Sequence, residues 1–215
     1  MTDAINQSGA VQRQPATATF GERIAKSEEL IKWLDRKING IAVPTNDRSR
    51  LAGGCIDVAM EHHKAIVVLM AYRLYGSALA MVRPTFEAYL RGAWLHQCAD
   101  VDSLDRFKSG KLELKPGPVI ADLEAEPSFE CGTLLKAKKA GWTKMCDFTH
   151  TGIQQAIRRN KRESIEPDYS EAELVEALGF ADAIGAMCAI EIAHLANNVA
   201  LAQEVFEKVA ELPRT

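Results

Sequence analysis

Leu174-Val175-Glu176-Ala177-Leu178-Gly179-Phe180-Ala181-Asp182-Ala183-Ile184-Gly185-Ala186-Met187-Cys188 opens the stretch that decides the fold. Apolar or small residues recur at Leu174, Leu178, Ala181, Gly185, Cys188, Ile192, Leu195, Val199, Ala202, Phe206 and Val209. The steps alternate between four and three, which is the period of a helix that buries one stripe. Ser170-x-x-Glu173 just ahead of it fits a capping box. One long last helix is therefore predicted, packed centrally or forming a dimer seam.

Helical period also governs the chain before it. A first helix is predicted over 20–39, a long second one over 48–75 with the stripe Leu51, Cys55, Val58, His62, Ile66 and Leu69, and a third over 78–98. Pro84 falls inside the third, which either kinks there or starts afresh with Pro84 in its first turn. Between Asp100 and Gly132 the glycines and prolines break the pattern into short helices at 102–107 and 119–124. A basic helix over 132–146, a turn at 148–152 with Thr149 or Thr151 as cap, and a helix over 153–160 complete the series. The fold class is all-α: a bundle of four to five long helices with short helical insertions. Residues 1–19 read as a disordered tail and 20–215 as a single domain.

The formal charge of −3 hides an uneven distribution. Thr133 to Arg162 holds eight Lys and Arg against Asp147 alone, and Glu163 to Thr215 holds eleven acidic residues against Lys208 and Arg214. A basic block precedes an acidic one. The five cysteines are scattered, odd in number and without a C-x-x-C pair, so they read as reduced thiols and not as a disulfide frame or zinc site. No signal-peptide pattern opens the chain, and the two most apolar stretches carry Arg73 in one and Glu191 and His194 in the other. A cytoplasmic protein without membrane spans is expected.

Two polar ladders stand out. Arg83, Glu87 and Arg91 lie at i, i+4, i+8 in an apolar segment beside Phe86, Tyr89 and Trp94. On a helix they share one face. Glu87 then either fixes helix register as part of a partly buried ion triad, or orients the guanidinium groups toward an anion. His150, Gln154 and Arg158 repeat the spacing and line one edge if the helix includes position 150, with Arg159 beside them and Ile153 and Ile157 assigned to the core. A histidine with two arginines suits acid–base work or phosphate binding, and a solvated basic helix is the plainer alternative. The two ladders are expected to face each other. Glu191-x-x-His194 has a di-iron spacing but lacks the second helix such a centre needs, so no metal and no cofactor are expected.

Arg83-Pro84-x-x-Glu87, Leu90-Arg91-x-x-Trp94-Leu95 and the turn Thr149-His150-Thr151-Gly152 resemble an uncharacterised bacterial all-helical family with an Arg-Pro-x-x-Glu signature, over roughly residues 50–211. Arg91-Gly92-Ala93-Trp94-Leu95-His96 reads as Arg-x4-His and looks like the motif of the HEPN ribonucleases, helical proteins of bacterial toxin and phage-defence systems. That likeness implies a homodimer that cleaves RNA without metal. Arg91 would stabilise phosphate charge and His96 would assist proton transfer, with His150 as a further catalytic candidate. Arg83, Glu87, Gln154, Arg158 and Arg159 would bind RNA or another phosphate-bearing ligand. The alternative is a non-enzymatic helical binding or regulatory module in which the Arg–Glu–Arg cluster is structural.

Overall fold

The computed structural model describes residues 18–129 and 132–210. The expected tail, up to residue 17, lies outside them. Among the described residues the chain forms nine helices: α1 (Ala18–Ile38), α2 (Asp47–Ala71), α3 (Tyr75–Gln97), α4 (Val101–Lys108), α5 (Pro116–Leu123), α6 (Thr133–Thr149), α7 (Ile153–Ile157), α8 (Glu171–Leu195) and α9 (Val199–Ala210). The fold is all-α, with α1, α2, α3, α6 and α8 as its long helices. The one bridge between extended segments joins Asn160 to Ile165. Among the described residues no helix is long and apolar enough to cross a membrane.

Local chemistry sets the boundaries. The side chains of Asn46, Asp100 and Ser170 accept hydrogen bonds from the backbone N–H of Ser49, Ser103 and Glu173, three residues on, and so cap α2, α4 and α8. Each such cap contributes about 1 kcal/mol. Between α2 and α3 the break falls at residues 72–74, ahead of Gly76-Ser77, because Arg73 takes a left-handed φ of 59°. The predicted long last helix is two helices. Asn197 takes φ 52°, and the Asn198 side chain accepts from Leu201 N at 3.1 Å to cap α9. Beyond the break the heptad positions Val199 and Phe206 are exposed, while Leu201, Ala202 and Val205 are buried. The two asparagines thus reset the buried stripe that the period alone carries straight through.

The central helix α8 has buried residues on nearly every side, from Leu174 to Leu195. Ile56 of α2 and Phe86, Tyr89, Leu90 and Leu95 of α3 belong to one core cluster, and Ile66 and Met70 of α2, Leu79 of α3 and Leu178 of α8 to another. The α2–α3 contact depends on Gly92: a Cβ there would lie 2.6 Å from Ile56 Cδ1 and 3.0 Å from Ala52 O. Arg48 closes the other end of α3. Its Nη1 donates to Leu95 O and His96 O at 3.0 Å, and its Nη2 to Ala99 O at 2.6 Å, which satisfies carbonyls with no partner inside the helix.

The buried stripe of α2 is turned by one residue from the predicted one. His63, not His62, lies in the core, and Val58 is exposed. A buried imidazole needs a partner, and Asp182 of α8 supplies it at 2.7 Å. The other Asp182 oxygen accepts from Ser27 Oγ at 2.8 Å and from Arg23 Nη2 at 2.6 Å. Ser27, His63 and Asp182 are all at least 98% buried. Gly185 makes room for the ring, since a Cβ there would sit 2.3 Å from His63 Nδ1. Three helices, α1, α2 and α8, are fastened at this one carboxylate.

Candidate functional site

Pro84 lies in the middle of α3, so it offers no N–H to the carbonyl four residues earlier, Ala80 O. The Thr149 hydroxyl, at the end of α6, comes within 3.2 Å of that carbonyl and 2.8 Å of Met145 O. Its single proton serves one or the other. The α6 C-terminus is thereby seated on the gap that the proline opens. The next residue, His150, then lies beside Arg83, with Nε2 2.8 Å from Arg83 Nη1. A guanidinium only donates, so Nε2 is the acceptor and His150 is in its neutral, Nδ1-protonated tautomer in this contact.

The first ladder forms as its spacing requires. Glu87 Oε1 accepts from Arg83 Nε at 2.7 Å and Oε2 from Arg91 Nη2 at 2.9 Å. The ladder is neither sealed nor fully solvated: the side chains of Arg83, Glu87 and Arg91 are 22%, 15% and 38% exposed. Trp142 of α6 backs the cluster, with the Arg83 guanidinium carbon 4.8 Å from its ring centre and Lys138 Nζ 5.7 Å from it. Arg91 also acts on α2: burial raises the pKa of the Cys55 thiol, and the Arg91 charge opposes that shift. The α3–α6 face therefore carries two arginines, a lysine, a histidine and a tryptophan around a single carboxylate. Trp142 escaped the sequence reading, and Lys138 entered it only as one charge of the basic block. The available signal was that Trp142 is the one tryptophan in the basic block.

The second ladder does not form as a helical row. The helix stops at Thr149, Thr151 takes φ 54°, and α7 starts only at Ile153. The cap comes from Asp147 and from neither threonine. Its side chain accepts the Gln154 N–H and its carbonyl accepts Gly152 N–H at 2.7 Å. Gly152 is required because a Cβ would lie 2.0 Å from Asp147 Oδ1. With the row broken, His150 goes to Arg83, while Gln154 and Arg158 bond each other at 2.9 Å. Arg158 Nε also bonds Glu173 Oε2 at 2.9 Å, and Lys144 Nζ is 3.0 Å from the other Glu173 oxygen. Burial works against ionising Glu173, yet the hydrogen bonds and charges of Arg158 and Lys144 outweigh it and hold its pKa below the ordinary value. Ile153 and Ile157, assigned to the core, are exposed. Arg159 lies against the start of α3, close to Gly76.

The basic block is thus partly neutralised by the acidic one, at Glu173 and at the Lys161–Glu166 pair. Lys136, Lys138, Lys139, Arg159 and Arg162 have no ion pair among the described residues.

Arg91 and His96 are not brought together within the chain. α3 runs unbroken through both, and residues five apart sit about 140° from each other on a helix. Arg91 goes to Glu87, whereas His96 Nδ1 is hydrogen-bonded to Glu191 of α8, which Gln97 Nε2 also reaches at 2.8 Å. Glu191 therefore serves His96, not a centre with His194. No group of three His, Cys, Asp or Glu side chains able to hold a metal occurs among the described residues. A cavity of about 200 Å³ beside the ladder is lined by Leu79, Val82, Lys144, Met145, Phe148 and Glu173 among others, and by no ladder residue.

Residues 56–213 match the model of a family described as a family of unknown function (DUF6988), and the chain belongs to that family. No curated protein and no solved structure matches the chain.

Proposed function

We propose that this family member binds a phosphate-bearing ligand, with RNA as the expected class, on the α3–α6 face. The observation that supports it most is the pair of guanidinium groups held by one carboxylate. Glu87 uses one oxygen on each arginine, which leaves both cations oriented, partly exposed and with unused donors. An oriented arginine recognises a phosphate through parallel N–H donors. Lys138 and Trp142 extend the face with a further cation and a ring, the combination that holds backbone phosphates and bases of a single strand. Lys136 and Lys139 on the same helix, without an ion pair among the described residues, add long-range attraction.

Metal-independent cleavage by a toxin or defence ribonuclease is the narrower form of this reading. It places His150 beside a phosphate-binding arginine, within reach of proton transfer. Cleavage through Arg91 and His96 requires a homodimer, because a single chain keeps the two on different partners.

Fluorescence anisotropy with a labelled single-stranded RNA oligonucleotide, at low salt and with chelator present, tests both forms. Wild type binds, and Arg83→Ala/Arg91→Ala binds at least about tenfold more weakly, the equivalent of 1.4 kcal/mol. Equal affinity of the folded double variant rejects the site. Intact RNA after prolonged incubation with wild type rejects cleavage and leaves the binding module.

A further inference from the structure

A second site lies on the other side of α3. A cavity of about 240 Å³ opens between α3, the start of α6, α8 and α9 and is lined by Tyr89, Phe129, Met187, Ile190, Glu191 and Phe206, among others. Its walls are mainly apolar or aromatic, with Ser128, Thr133 and His194 as further polar lining, and Glu191 is only 3% exposed. A carboxylate removed from water needs compensation. His96 Nδ1 and Gln97 Nε2 both engage Oε1, and no side chain among the described residues hydrogen-bonds Oε2. An ionised carboxylate only accepts, so His96 donates to it from Nδ1.

That charge is felt around the cavity. The Tyr89 hydroxyl is held well above its ordinary pKa by burial and then by Glu191. Burial and then Glu191 also push up the Cys188 thiol, and Cys98 is raised to about 11 by burial, Glu126, Asp122 and Glu191 in turn. Phe206, meanwhile, is left 60% exposed although α9 has a buried face. A ring at the edge of a cavity, two more in its wall and one buried carboxylate form the recognition chemistry of an organic cation: ring faces attract positive charge, and a carboxylate supplies the counter-charge.

We propose that this cavity is a binding site for a small organic cation with an apolar body and an ammonium head, using Glu191 as counter-charge and Tyr89, Phe129 and Phe206 as walls. The site is independent of the α3–α6 face, so either assignment stands if the other fails.

Isothermal titration calorimetry of the full chain with choline, and with its uncharged isostere 3,3-dimethyl-1-butanol, tests it. Wild type gives saturable binding of choline, and the neutral alcohol binds at least about tenfold more weakly. Glu191→Gln weakens choline binding by about tenfold or more, and Phe206→Ala, at an exposed position, by roughly three- to tenfold. Arg83→Ala/Arg91→Ala leaves choline binding unchanged. Absence of saturable choline binding overturns the proposal. So does equal affinity for the neutral alcohol, or an unchanged Kd in folded Glu191→Gln. Should Glu191→Gln fail to fold, an unchanged Kd in Phe206→Ala overturns it.

Discussion

Arg23, Ser27, His63 and Asp182 form one polar cluster of this protein, and Arg83, Glu87, Arg91 and His150 form another. Each sets a carboxylate among arginine and histidine, and they end with opposite exposures. In the first, one carboxylate of α8 gathers partners from α1 and α2, and both its oxygens are filled, by the buried Ser27 and His63 and by Arg23, whose side chain is 19% exposed. In the second, three of the four residues lie on one helix, and the arginines keep donors that no group among the described residues uses. Burial of charge requires every valence to be met from within. A cluster with valences to spare, at a half-open surface, has donors that water or the proposed ligand can take. The contrast sets a fastening beside the proposed site, made of the same residue types.

Breaking the fastening has the largest expected effect. Asp182→Ala leaves Arg23, Ser27 and His63 without their common acceptor and is expected to cost about 3–5 kcal/mol in urea unfolding. RNA affinity of the fraction that stays folded should be unchanged. A loss below about 1 kcal/mol would place the cluster outside the set of structural ion pairs. Gly185→Ala drives a methyl against the His63 ring and is expected to cost about 1–3 kcal/mol, more than a solvent-facing glycine-to-alanine change. Equal unfolding midpoints for Gly185→Ala and Gly53→Ala, where no atom lies within 4 Å, would contradict the packing argument.

On the ladder side the effects on stability are smaller. Thr149→Val removes the hydroxyl that reaches Ala80 O at the Pro84 gap, and a loss of about 1 kcal/mol is expected. Because the same contact seats His150 against Arg83, RNA binding should weaken as well. Normal binding in Thr149→Val would uncouple the turn from the site.

The smallest effect is a pH dependence at the junction of the basic and acidic blocks. Glu173 has a folded pKa below its ordinary 4.5, so its stabilisation is fully present above that pH and is lost as pH falls through the folded value. Wild-type stability should therefore drop below pH 4.5 more steeply than that of Glu173→Gln. Parallel acid limbs for the two proteins would show that Arg158 and Lys144 do not stabilise the folded carboxylate.

The fold class and the first ladder were legible because both rest on period. Spacing of three and four marks a helix, and spacing of four places Arg83, Glu87 and Arg91 in bonding reach whatever surrounds them. The second ladder has the same spacing but lines one edge only if its helix includes position 150, and the turn read at 148–152 intervenes: Thr151 is left-handed and Asp147 caps the next helix start. The join in the last helix was missed for a related reason. A heptad pattern continues through Asn197 and Asn198, and only their backbone and side-chain geometry shows that the buried stripe is reset. His63 could not be told from His62 by sequence, since its partner, Asp182, lies 119 residues away. Trp142 carries no spacing signal at all. The prediction that the two ladders meet does hold in part, through the Arg83–His150 contact alone.

The salt dependence of RNA binding tests the central claim most directly. The logarithm of the binding constant falls with the logarithm of salt concentration in proportion to the phosphates neutralised, about 0.7 for each on a single strand. If Arg83 and Arg91 each engage a phosphate, the slope for Arg83→Ala/Arg91→Ala is shallower than that of wild type by about 1.4. The slope for a folded Asp182 variant stays at the wild-type value. Identical slopes and affinities for wild type and the double arginine variant would contradict the account and leave both clusters as fastenings.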